Sequence, residues 1–139
     1  MSLGQQVDLT PTLLSSAMAE HIVCLKQYNY SVVQNDTLII DIQKNNFIEN
    51  NLSSHLGTRL KLNFFNGKEI LKKAKKGSFF LTVINRPQIY SGFIRFDIIM
   101  YNMIYKNHIL NYIKIASTVV TFKFDCISEQ YMLDKVEHY

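Results

Sequence analysis

The spacing of hydrophobic positions changes several times along this chain, and each change marks an element. From Pro11 to Gln27 the period is helical: at 100° per residue Leu14, Ala17, Met18, His21 and Leu25 gather on one face, with Ser16, Glu20 and Gln27 opposite. Thr10-Pro11 suits the start, because Thr caps free amides and Pro needs no N–H in the first turn. Tyr28 to Gln34 and Thr37 to Ile42 are β-prone runs flanking Asn35-Asp36, a pair that tolerates left-handed backbone, which predicts a hairpin. Phe47, Ile48, Leu52 and Leu56 return to helical spacing. Asn45 or Asn46 serves as cap and Gly57 as stop, predicting a short second helix.

Leu60, Leu62 and Phe64 alternate with Arg59, Lys61 and Asn63, predicting a half-buried strand that ends at Asn66-Gly67. Lys68 to Lys76 predicts one or two lysine-rich helical turns with Ile70, Leu71 and Ala74 inward and Gly77 at the end. The remainder reads as strand: Phe79 to Asn85, Ile89 to Tyr105 and Ile109 to Phe124, broken at Arg86-Pro87 and Lys106-Asn107-His108. Ile94, Phe96, Ile98 and Met100 share one face against Arg95 and Asp97. Val120, Phe122, Phe124 and Cys126 oppose Thr121, Lys123 and Asp125, with Ser117-Thr118 read as a bend. Glu129 to Tyr139 reads as a closing helix or tail.

Together these elements predict an α+β fold: an N-terminal amphipathic helix packed on an antiparallel β-sheet, with one or two short additional helices. Cystatin-like and NTF2-like folds share this broad order of elements, and the chain carries no sequence motif of either. The expected core sets Leu14, Met18 and Leu25 against Ile94, Phe96, Ile98, Phe122 and Phe124. At 139 residues the chain suits a single domain, 1–139, with 1–9 as a flexible N-terminal segment. No run reaches the roughly 18 apolar residues of a membrane-spanning helix, so the expectation is a soluble protein with no transmembrane segment. The N-terminus shows no secretory signal, which favours the cytoplasm, although a mature exported protein would read the same.

Charge adds a local feature. Arg59, Lys61, Lys68, Lys72, Lys73, Lys75 and Lys76 are offset only by Glu69, a net +6 within a chain of net +4. Such a segment can contact polyanion phosphates, with Phe64, Phe65, Phe79 and Phe80 as stacking surfaces if they face outward. The bland reading is a solvated lysine face. Lys76 to Val83 only distantly resembles the RNA-binding strand motif K/R-G-F/Y-G/A-F-V-x-F/Y. Ser78 and Phe79 stand where an aromatic and a small residue belong, and Val83 replaces the final aromatic.

Candidate chemistry is sparse. Cys24 and Cys126 form no C-x-x-C, and His21, His55, His108 and His138 show no ligand spacing, so no metal is expected and the cysteines read as buried thiols. No Walker loop, G-x-G-x-x-G or nucleophile elbow is present, which predicts no catalytic residues, no nucleotide and no other cofactor. His21 lies in the apolar stripe of its helix, either as a satisfied core histidine or as the lining of a pocket. Tyr101, Met103 and Tyr105 give the sheet an amphipathic end that either a helix of this chain or another subunit must cover. The leading functional reading is a non-enzymatic interaction or assembly module, an accessory subunit of a larger bacterial complex, docking a protein partner or forming a homo-oligomer. A nucleic-acid or anionic-surface binder acting through 59–76 is the second, and a small enzyme or ligand carrier with a helix–sheet cavity near His21 the third.

Overall fold

The computed structural model describes residues 10–27, 37–42, 55–56 and 60–139. In chain order the elements are α1 (Thr10–Gln27), β1 (Thr37–Asp41), β2 (His55–Leu56), β3 (Leu60–Phe65), α2 (Gly67–Lys76), β4 (Phe79–Ile84), β5 (Gln88–Tyr90), β6 (Phe93–Lys106), β7 (Ile109–Asp125) and β8 (Gln130–His138). Among the described residues all eight strands join one sheet in the order β2-β3-β1-β4-β6-β7-β8, with β5 beside β6.

The sheet is mixed, which corrects the expectation of a purely antiparallel one. β1 lies parallel to β3, Thr37 to Asp41 against Lys61 to Phe65, and parallel to β4 through Ile40 and Thr82. The crossover that parallel strands require is α2 itself, which carries the chain from β3 over β1 to β4. Its local determinants are strong. Asn66 Oδ1 accepts from the Glu69 amide at 2.9 Å while Glu69 Oε1 accepts from the Asn66 amide at 3.1 Å, a reciprocal cap.

The two helices sit on opposite faces. α1 buries Leu14, Ala17 and Met18 against Ile94, Phe96, Ile98, Val120 and Phe122, and Phe96 meets Phe122 edge-on at 5.9 Å. Leu25 continues that layer onto Met100 and Ala116. α2 buries Ile70 against Leu81 and Met103 on the other side. The register explains the split, because Leu81 pairs with Tyr101 while Thr82 pairs with Met100, and neighbouring positions point to opposite faces. The expected core therefore forms, with Phe124 half-buried against Tyr131 at 5.3 Å at its margin.

Other expectations are corrected locally. The run Ile89 to Tyr105 is a hairpin rather than one strand: Ser91 and Gly92 adopt φ of 32° and 81°, and Tyr90 stacks on Phe93 at 5.7 Å to close it. Ser117 and Thr118 lie inside a continuous β7. The local irregularity falls earlier, where Met100 pairs with Ala116 but Tyr101 with Lys114, leaving Ile115 as a bulge. Residues 130–138 form a strand instead of a helix or tail. His55–Leu56 pair antiparallel to Lys61 and Leu60, so the expected helix over 45–57 does not reach them, and its remainder lies outside the described residues. β1 pairs parallel with β3 on one side and β4 on the other rather than in the expected hairpin, whose first half, 28–34, lies outside the described residues, as does the segment 1–9. Cys126 is exposed in the β7–β8 turn, contrary to its expected burial, while Cys24 is buried, and both are free thiols.

Candidate functional site

The polar centre of the α1–sheet seam is a threonine held between two histidines. Thr118 and His138 are direct cross-strand partners on β7 and β8, so their side chains share the face that α1 covers. His21, in the middle of the α1 apolar stripe, brings Nδ1 to 2.7 Å from Thr118 Oγ1, which lies 3.0 Å from His138 Nδ1. A single hydroxyl proton serves both rings: Thr118 donates to one Nδ1 and accepts an N–H from the other. Cys24 lies one turn beyond His21, near enough to Thr118 for that hydroxyl to lower its pKa.

This cluster is electrostatically quiet at neutral pH. Burial, and then the nearby His138, push His21 down to about 3, and burial lowers His138 as well. Burial raises the Cys24 thiol first, the Glu20 carboxylate adds to the rise, and the Thr118 hydrogen bond opposes both. Both imidazoles are therefore neutral, the thiol stays protonated, and His21 Nε2 is buried with no hydrogen-bond partner among the described residues. A base held near 3 accepts no proton at pH 7, and a thiol raised by burial is a poor nucleophile. Among the described residues no three His, Cys, Asp or Glu side chains converge as metal ligands.

The basic segment takes a different form from the one the sequence implied. Lys68, Lys72, Lys75 and Lys76 are exposed on α2 and Lys61 on β3, while Arg59 lies outside the described residues. Lys73 Nζ sits 5.6 Å from the Phe79 ring centre and Lys75 Nζ 5.5 Å from that of Tyr105, so two of the charges lie over aromatic faces of the same chain. The four phenylalanines turn inward. Phe64 joins the α1 core, Phe80 packs with Leu25, Met100 and Ala116, and Phe65 meets Phe79 at 6.5 Å beneath α2. The lysines thus stand without a stacking platform.

No family model, curated protein or solved structure matches the chain.

Tyr101, Met103 and Tyr105 lie under α2, not α1. Met103 is fully buried on Ile70 and Leu81, Tyr101 packs edge-on against Tyr112 at 5.6 Å, and Tyr105 carries Lys75. The exposed apolar surface falls just beyond them, at the far end of the β6–β7 hairpin, where Ile109, Tyr112 and Ile113 are 60%, 50% and 48% exposed. Sequence reading placed these residues inside a long strand without marking them as surface. The signal was present: Ile109, Leu110, Tyr112 and Ile113 occupy both parities, so one face cannot bury them all. The turn joining the strands, Asn107-His108, has φ of 55° and 61°, the left-handed pair whose twist matches that of the flanking strands.

From Ile109 to Lys114, β7 pairs with β6 on one edge only. β8 occupies the other edge from Thr118 onward, extended by the reciprocal Ser117–Tyr139 backbone bonds of 3.0 and 2.8 Å. The intervening backbone edge has no strand partner among the described residues.

Proposed function

We propose that this protein is a non-enzymatic docking module that receives a protein partner at the far end of the β6–β7 hairpin. The observation that carries this reading is the coincidence there of an open strand edge with exposed Ile109, Tyr112 and Ile113. Exposed apolar residues scattered singly are ordinary, but three on one six-residue edge whose outer backbone groups find no strand among the described residues form a surface suited to association. The quiet protonation states of His21 and Cys24 favour it over acid–base or thiol chemistry at the buried cluster. A photo-crosslinking amino acid placed at Tyr112 in cells should yield one discrete polypeptide adduct, lost on Ile113→Asp, while the same group at Lys72 yields none. A diffuse smear from both positions alike would overturn the reading.

A second reading, polyanion binding through the α2 lysines, rests on one observation: from Ile70 to Phe124 nine basic residues meet a single acid, Asp97. Replacing Lys72, Lys73, Lys75 and Lys76 together by Gln should then remove most nucleic-acid or anionic-lipid affinity. Binding by the unaltered protein should also weaken by orders of magnitude between roughly 50 and 200 mM salt. Undetectable filter binding at the lower salt eliminates it.

A further inference from the structure

We propose that the occupant of the open β7 edge is an extended acidic segment of another protein, added to the sheet as a further antiparallel or parallel strand. This rests on the docking reading above and adds the chemistry of the partner. An unpaired edge presents outward N–H and C=O groups at alternate residues, so the ligand that satisfies them is backbone in extended conformation. Side chains on both faces of the edge suit such a strand: Ile109 and Ile113 flank it on one face and Tyr112 on the other.

Another free edge of the sheet, the outer side of β8, is blunted along more of its length than this one. β8 also lacks a partner on its outer side among the described residues. It carries Asp134, Lys135 and Glu137, and a bulge at Asp134 where the register shifts between the Thr121–Lys135 and Phe122–Leu133 pairs. Charge and bulging are the devices that blunt an edge against added strands. The open stretch of β7 carries one charge, Lys114, and one bulge, Ile115, both at its inner end, so Ile109 to Ile113 is the part left unblunted.

Charge then selects the partner. No acidic residue occurs in sequence between Asp97 and Asp125, exposed Lys106 and Lys114 border the edge, and they outnumber the Asp41 carboxylate whose charge is felt at Tyr112. Lys75 reaches the same hairpin through Tyr105, with Lys76 beside it. An antiparallel two-fold pairing centred on this edge would set Lys114 of each copy opposite Ile109 of the other, one strand away from that copy's Lys106, a like-charge approach that opposes a second copy of this chain. A segment with apolar residues at alternate positions and Asp or Glu between them meets both requirements.

The test uses the full chain and four fluorescent octapeptides: alternating Val and Glu, alternating Val and Lys, and two versions of the Val/Glu peptide, N-methylated on one or the other alternate set of backbone amides. The Val/Glu peptide should bind at least tenfold more tightly than the Val/Lys peptide. One N-methylated version should lose binding and the other retain it, the signature of pairing along a single edge. Lys114→Glu and Lys106→Glu should each weaken binding severalfold, with circular dichroism unchanged, whereas Lys61→Glu should alter it less than twofold. Binding indifferent to both methylations would overturn strand addition, and equal binding of the Val/Lys peptide would overturn the acidic preference. Dimerisation abolished by Ile113→Asp in sedimentation would assign the edge to a second copy instead. A discrete Tyr112 crosslink in cells alongside any of these failures leaves the docking module standing with a different partner, while absence of that crosslink removes the module itself.

Discussion

Lowering the pH from 7 to 5 should remove about 2 kcal/mol of folding stability through His21 alone. The imidazole titrates near 6.5 in the unfolded chain and near 3 in the folded one, because burial and His138 both disfavour its cation. Between those values the unfolded state holds the extra proton, so stability rises with pH; it is fully present above 6.5 and is lost progressively down to about 3. At pH 5 the chain is 1.5 units below the unfolded value, and at about 1.36 kcal/mol per unit the loss is roughly 2 kcal/mol. That figure depends on the unfolded pKa rather than on the buried one, provided the latter stays well below 5. His138 is lowered too and adds to the effect with the same sign. His21→Leu abolishes the titrating group while leaving Thr118 its bond to His138. Urea unfolding at pH 7 and pH 5 should therefore show the variant losing about 2 kcal/mol less than the unaltered protein. Equal losses in the two proteins would refute the assignment of a neutral, buried His21.

Three further outcomes follow from the packing. Phe96→Ala, at the centre of the α1 core and fully buried, should cost about 3–5 kcal/mol by chemical denaturation, and a loss below about 1 kcal/mol would mean that the strand faces are inverted. His108→Gly should stabilise the protein by about 1 kcal/mol, since His108 holds φ of 61° in the β6–β7 turn and glycine adopts that region without a Cβ penalty; thermal unfolding reads the gain. A maleimide should modify Cys126 rapidly in the native protein and Cys24 only after unfolding, which peptide mapping of the labelled chain distinguishes.

How much of the fold was legible in the sequence depended on how local its cause was. α2 is set by Asn66, Glu69, Ile70 and Ala74, residues within nine positions of one another, and it was readable as a lysine-rich helix. The inner faces of β6 and β7 were readable because Ile94 to Met100 and Val120 to Phe124 keep an unbroken period of two. β8 was not readable. Its residues on the α1 side are Tyr131 and Leu133 before the Asp134 bulge and Val136 and His138 after it, with Leu133 exposed, so the parity reverses midway and the alternation cancels.

Tertiary structure alone decided three things. The insertion of β1 between β3 and β4 depends on pairing between segments separated by a crossover, and β-propensity says nothing about which edge a strand will find. His21 was legible as a polar residue in an apolar stripe, but its partner Thr118 stands 97 residues away and only the docking of α1 across β7 brings them together. The open edge from Ile109 to Lys114 exists because β8 engages β7 only from Ser117 onward. Composition determined that the chain would bury a core and that its positive charge would be local. Which backbone groups were left unpaired beside that charge was a matter of strand length and register, and those are settled when the whole sheet assembles.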